Sequence, residues 1–209
     1  MPSALKLIVG LGNPGPEHLM TRHNAGFWFA DVLAAKYSLS FRSESRFNSE
    51  VCRLSTAGHD SYLCKPMTFM NRSGQPVQAI AGFYKIALNE ILVVHDEIDL
   101  EAGVVRFKQG GGHGGHNGLR DIIEKMGGNE FNRLRIGVGH PGNSSEVVNY
   151  VLERAPAAEE DLIMQGISDV MEMIPQILSG DFQMVMHKIH TSEKLKVKSE
   201  NGTDDEKND

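Results

Sequence analysis

The sequence predicts an α/β fold: a single globular domain on a central mixed, mostly parallel, twisted sheet flanked by helices on both faces. Three observations carry this. Apolar segments of strand length alternate along the chain with segments of helical periodicity, the pattern of a sheet covered on both sides. Residues 91–94 are short and wholly apolar, as a strand buried on both faces is. The 209 residues, 40% hydrophobic and 23% charged, suit one core of ordinary size and exclude wholesale disorder or fibrous repeats.

Taken in order, residues 5–9 form a first apolar strand, closed by the loop Gly10-Leu11-Gly12-Asn13-Pro14-Gly15-Pro16. Thr21 is placed to cap a helix from about Arg22 to Tyr37, with His23 and Asn24 in its first turn. Residues 47–54 and 61–64 read as two strands joined by a hairpin turn at Ala57-Gly58-His59-Asp60. After the loop from Lys65 to Asn71, Ser73 and Pro76 open a helix in which Val77, Ile80, Ala81 and Tyr84 share one face. The 91–94 strand ends in His95-Asp96-Glu97, and a further strand spans 104–108. Between 110 and 118 six of nine residues are glycine, so that segment holds no regular structure before a helix carrying Leu119, Ile122, Ile123 and Met126. Residues 134–138 supply the last strand and 145–152 a helix. A long apolar stripe from Ile163 to Leu178 follows, which Pro175 is expected to kink. The composition turns polar from about Thr191, so residues 1–190 form the folded unit and 191–209 a disordered tail.

Composition limits the function. No apolar run approaches the ~20 residues of a membrane helix. The N-terminus lacks a secretory signal pattern, which implies a cytoplasmic location. Cys52 and Cys64 are too few for a disulfide framework and read as buried thiols. The net charge of −6 is unevenly distributed: residues 1–152 carry 15 Lys and Arg against 14 Asp and Glu. Residues 103–135 carry six cations against three acids, so a phosphate-bearing ligand is permitted.

Ligands of open α/β sheets sit at the carboxyl ends of the strands, where this chain places Asn13, Asn71, Asp96, His116 and Asn117, with His23 opening the first helix. An imidazole, a carboxylate and three carboxamides form a set suited to activating water. A helix N-terminus disfavours imidazolium and a nearby carboxylate favours it, and these opposing biases suit a general base. Each residue taken singly also has a plainer reading, His23 as a structural histidine and the Asn and Asp residues as turn formers. Gly10-Leu11-Gly12-Asn13-Pro14-Gly15 literally matches the dinucleotide fingerprint, but the following helix begins too late to aim its amides at a pyrophosphate. His113-Gly114-Gly115-His116 has a spacing compatible with a metal, although spacing supplies no third ligand. The glycine loop reads equally as a flexible connection or as a flap closing over a ligand.

Five blocks carry a resemblance: Val9 to Gly15, Thr21 to Gly26, Lys65 to Gly74, His95-Asp96-Glu97 and Gly110 to Leu119. In this order they resemble bacterial peptidyl-tRNA hydrolase, over roughly Leu5 to His187. The resemblance implies a monomer needing no metal or other cofactor. Its reaction is hydrolysis of the ester joining a peptide's C-terminal carbonyl to the ribose of a tRNA's terminal adenosine, which frees tRNA for reuse. Residue by residue, it implies that His23 takes a proton from water, that Asp96 steadies the charged ring, and that Asn13 favours peptidyl over free aminoacyl esters. It places Asn71 and Asn117 where they hold the ester end of the substrate and water, His116 among the residues that bind substrate or tRNA, and Phe69 and Met70 as apolar walls, and has Lys108 and Arg135 grip phosphate near the acceptor end. One Asn donates to the oxyanion; which one stays open. His18 stands where the family usually has Tyr, which implies altered contact with the terminal nucleotide. The partner implied is peptidyl-tRNA, through its acceptor end and nascent peptide. A non-catalytic RNA-binding module is the alternative that the basic 103–135 segment allows.

Overall fold

The computed structural model describes residues 3–189. The expected polar tail lies outside them. Seven strands form one mixed sheet: β1 (Leu7–Gly10), β2 (Arg42–Glu44), β3 (Ser49–Thr56), β4 (His59–Pro66), β5 (Ile91–Glu97), β6 (Val105–Gln109) and β7 (Asn132–Gly137), in the order β2-β3-β4-β1-β5-β7-β6. The four strands at the centre, β4, β1, β5 and β7, run parallel, while β3 and β6 run against their neighbours. The sheet is mixed because its outer pairings are antiparallel, β2-β3-β4 through short turns and β6-β7 across the glycine loop and α3, while its middle is built from parallel crossovers.

Alternation along the central strands assigns side chains to two cores. Ile8, Leu92, Val94, Leu134 and Ile136 pack with helices α1 (Ala25–Lys36) and α5 (Ala157–Met171). Leu7, Val9, Ile91 and Val93 pack with α2 (Gly74–Tyr84) and α3 (Asn117–Met126). The same alternation puts Asp96, two residues beyond Val94, on the face that carries α1.

Several boundaries differ from the sequence reading, each for a local reason. Thr21 caps no α-helix. Its hydroxyl donates back to the His18 carbonyl (2.9 Å), residues Arg22–Asn24 form a 3-10 turn, and α1 begins only at Ala25. Strand β5 does not stop at Val94, because β7 runs beside it as far as Glu97↔Gly137, so Asp96 lies within a strand rather than after one. The hairpin turn is two residues long: Ala57 and Gly58 both have positive φ, as a tight turn between right-twisted strands requires, and His59 already pairs with Thr56. Pro175 kinks no continuous helix; α5 ends at Met171 and α6 (Ile174–Leu178) restarts with the proline in its first turn, where its missing N–H has no cost. The exposed edge strand β2 carries no periodic apolar signal, and the sequence reading omitted it; the helix over 182–189, not named there either, does carry one in Phe182, Val185, Met186 and Ile189, of which Val185 and Ile189 are buried. Among the described residues no helix is long and apolar enough to cross a membrane.

Candidate active site

The site forms where α1 meets the ends of β1 and β5, and two glycines set that meeting. A Cβ on Gly10 would lie 2.2 Å from the Gly26 carbonyl oxygen, and one on Gly26 would lie 2.4 Å from both the Leu11 nitrogen and the Val94 oxygen. With both side chains absent, Leu11 N donates to Val94 O (2.9 Å) and Phe27 N to Leu11 O (3.1 Å), locking loop, helix and strand together. The glycines after β1 therefore serve backbone approach, and the literal dinucleotide pattern has a packing explanation.

That contact brings the 3-10 turn over the end of β5. His23 Nδ1 lies 2.9 Å from each oxygen of Asp96. Facing a carboxylate, Nδ1 carries the proton and donates, which leaves Nε2 as the basic nitrogen of a ring that lines the central cavity. Burial opposes the charged ring, but the charge and hydrogen bond of Asp96 outweigh it, so the His23 pKa is raised. Asp96 is fully buried. Burial disfavours its charge, yet the two imidazoles beside it hold its carboxyl well below the usual range.

The second imidazole is His116, whose Nε2 donates to Asp96 Oδ1 (3.0 Å). Its Nδ1 accepts from Gly118 N (3.2 Å) and Leu119 N (3.3 Å), capping α3. Both His116 nitrogens are thus committed, and of the two rings on Asp96 only His23 offers a free lone pair. His23, Asp96 and His116 are also the described residues whose potential metal-ligand atoms converge. Here those atoms sit at hydrogen-bond distance, so a cation would have to displace both N–H protons and the α3 cap. His113, the other half of the spacing noted in the sequence, instead accepts from Gly115 N through Nδ1 (3.0 Å).

Asn13 is held by its neighbours. Its Oδ1 accepts from Met70 N (2.7 Å), which fixes the amide orientation and leaves its NH2 as the available donor. Asn24, which the sequence reading passed over, brackets it: Asn13 N donates to Asn24 Oδ1 (2.8 Å) and Asn24 Nδ2 to Asn13 O (3.0 Å). Arg22 ties the same turn to helix α4 (Val147–Leu152), donating to Tyr150 O (3.2 Å) with its guanidinium 3.9 Å from the centre of the Tyr150 ring, and to α5, donating to Glu159 (3.0 Å).

The cavity, of about 430 Å³, is lined by Asn13, His23, Phe69, Met70, Asn71, Asp96, His116 and Asn117, so eight of the expected residues meet on one wall system. Asn71 and Asn117 are exposed, as is Phe69. Val148 and Leu152 of α4, 64% and 40% exposed, add an apolar wall that sequence reading missed, because on a six-residue helix the sequence does not separate an exposed apolar side chain from a core one. His18 lies at the rim, edge-on to Phe69 with ring centres 6.5 Å apart. Lys108 and Arg135 are outside the cavity. Arg135 donates through Nε to Glu97 (2.8 Å), which does line it, and the pairings Arg106↔Arg135 and Lys108↔Arg133 gather four cations on neighbouring strands.

His95, also missed, is buried beside this network. Its Nδ1 donates to the Asp96 carbonyl (2.7 Å), and burial, with the adjacent His116, pushes its pKa down to about 3. A histidine that ordinarily titrates near 6.5 then takes up a proton on unfolding throughout the window from about 6.5 to about 3. Stability is expected to fall as pH drops through that window, and His95→Gln to flatten the fall by about one proton; denaturant melts across a pH series measure it, and an unchanged slope would refute the assignment.

The family model described as peptidyl-tRNA hydrolase matches residues 7–198. The chain belongs to the peptidyl-tRNA hydrolase family. A peptidyl-tRNA hydrolase of Neisseria gonorrhoeae is 49% identical over 191 residues, 91% of this chain and 100% of the relative. One of Pseudomonas aeruginosa is 50% identical, over 90% and 98% of the two chains. The crystal structure of peptidyl-tRNA hydrolase from Acinetobacter baumannii superposes with a TM-score of 0.87 at 47% identity, covering 90% of this chain and 96% of that one. The resemblance carried by the five sequence blocks thus extends over nearly the full length of a solved peptidyl-tRNA hydrolase.

Proposed function

We propose that this chain hydrolyses the ester between peptide and tRNA in peptidyl-tRNA, with water activated by His23 and Asp96. The observation that carries the mechanism is the His23–Asp96 pair at 2.9 Å with Nε2 left free beside the cavity. Water bound to Nε2 loses a proton to the ring as its oxygen attacks the ester carbonyl. Asp96 stabilises the imidazolium that forms, and the proton then passes to the departing ribose oxygen. The amide groups of Asn13, Asn71 and Asn117 are the available neutral donors, and one aimed at the developing oxyanion supplies about 3 kcal/mol of barrier lowering. The NH2 of Asn13 suits a peptide carbonyl and gains nothing from a free ammonium, which supports preference for peptidyl over aminoacyl esters. Phe69, Met70, Val148 and Leu152 give the acyl chain apolar walls. His18 with Phe69 offers an aromatic edge to the terminal base. On this reading residues 1–190 work as one monomeric catalytic unit in the cytoplasm.

The direct test is to incubate the purified protein with N-blocked aminoacyl-tRNA and follow release of the blocked amino acid. Tight RNA binding without release would favour the non-catalytic module instead. The phosphate grip has a separate test. Removing the charge in Lys108→Met or Arg135→Met should raise KM for the tRNA-linked substrate and flatten its salt dependence by about one unit of slope, with much smaller effect on an N-blocked aminoacyl ester of adenosine. Equal losses on both substrates would remove these residues from the phosphate contact.

A further inference from the structure

We infer that Arg133, outside the cavity and assigned no role above, is a positioning residue for the reaction: its guanidinium holds the glycine loop so that His116 stays seated on Asp96. The inference rests on the ester-hydrolase reading of the site. Arg133 is on β7 and only 2% exposed. Its Nη1 donates to the Gly112 carbonyl (2.6 Å) and its Nη2 to that of Gly111. The guanidinium carbon lies 4.8 Å from the centre of the Phe131 ring, while Phe131 O accepts from Gly110 N (3.1 Å).

A cation in this place needs a reason. Burial disfavours its charge, and Arg135 disfavours it further. Lys108 is its cross-strand partner. Nε is buried without a partner. Against those costs stand the two loop carbonyls, which a planar fork of donors engages together and an apolar side chain would leave open.

The loop needs such a hold because its own backbone supplies little. Gly110, Gly111, Gly114 and Gly115 all take positive φ, so the segment from β6 to α3 has no ladder or helical bonding of its own. It is fixed at its start by Arg133 and the Gly110 bond, and at its end by His116 N to His113 O (2.9 Å) and the His116 cap. Between Gly112, held by Arg133, and His116 are only His113, Gly114 and Gly115. A shift at Gly111 and Gly112 is therefore transmitted over a few residues to His116, and from there to the carboxylate that orients His23.

The test uses the full chain and an N-blocked aminoacyl ester of adenosine, which lacks the tRNA phosphates, so that the lost charge of Arg133 does not enter through phosphate binding. Arg133→Met should lower kcat on the order of tenfold to a hundredfold, with KM changed much less. In a chain already carrying His116→Ala, the same substitution should have little further effect, because the element it positions is gone. Hydrogen exchange of the amides between 110 and 116 should quicken in Arg133→Met while the sheet amides keep their protection. This measurement needs no substrate, so it separates failure of the loop assignment from failure of the ester-hydrolase reading, which an inactive wild type would show. Should Arg133→Met not fold, Arg133→Gln, which keeps one donor arm, carries the same three measurements. Undiminished kcat, equal losses with and without His116, or unchanged exchange in the loop would each overturn the inference.

Discussion

Replacing His23 with alanine is expected to abolish ester cleavage almost completely, by about 10²–10⁴-fold in kcat, while affinity for tRNA survives. The size follows from the site: the other imidazole on Asp96 has one nitrogen on the carboxylate and the other under the amides of α3, so it has no lone pair to lend. The pH profile tests the same chemistry from another side. The His23 pKa is raised, so kcat/KM in the wild type should decline on the acid side through a pKa above the ordinary histidine value of 6.5. In Asp96→Asn the raising influences disappear and burial remains, so that limb should move to lower pH while the plateau drops by about 10³–10⁴-fold. An acid limb that stays in place would show that some group other than His23 is titrating. A His23→Ala enzyme with undiminished turnover would remove the proposed base altogether.

The raised pKa also has a consequence for stability, of opposite sign to that of its neighbour. A histidine bound more tightly to its proton when folded stabilises the protein below its unfolded value of about 6.5 and loses that contribution as pH rises through the folded one. Asp96, depressed in the fold, stabilises above its unfolded value and loses that contribution as pH falls through its folded one. The pair therefore favours the folded chain most between the two limits. On the proposed mechanism the active form has His23 unprotonated and lies at the upper edge of that range, so the pH that would activate the base is one at which the ion pair no longer supports the fold.

The sequence made the strand and helix alternation legible because apolar periodicity is strong in β1, β5, α2 and α3, where both faces or one stripe are buried. It made the polar ends of those strands legible as a site because Asn13 and Asp96 follow closely on apolar runs and His116 closes the glycine loop. The function proposed for the cluster comes through the five blocks, since no spacing rule specifies a tRNA ester. What stayed hidden was whatever depends on long-range contact. Asn24 reads as an ordinary turn residue until it brackets Asn13, eleven residues away. His95 reads as part of a charged strand end until β7 extends β5 past it. Arg133 reads as one more cation of a basic segment, although it is buried and spends its donors on carbonyls 21 and 22 residues away. Thr21 departs from the cap its residue type suggests because its hydroxyl has two uses, and a local bond to His18 prevails over capping a helix that starts four residues on.

Gly26→Ala should be among the most damaging single-methyl changes in the chain, in stability and activity together. The added carbon would stand 2.4 Å from the Leu11 nitrogen and the Val94 oxygen and 2.5 Å from the Leu11 oxygen. All three are backbone atoms, two of them in the Leu11 N to Val94 O bond, so no flexible side chain can yield. Helix α1 must move outward instead, at a cost of about 3 kcal/mol or more. For a chain of this length that corresponds to a fall in Tm on the order of 10 °C. His23 precedes Gly26 by three residues and moves with it, and a displacement of about 1 Å is enough to cost roughly a hundredfold in rate. Gly82 supplies the opposite case on helix α2: a Cβ there meets nothing within 4 Å, so Gly82→Ala should stabilise by about 0.5–1 kcal/mol through helix propensity alone and leave turnover unchanged. Thermal melts and kcat for the two variants side by side decide the matter. If Gly26→Ala melted with Gly82→Ala and kept its rate, the close approach of α1 would not be what places His23 on Asp96.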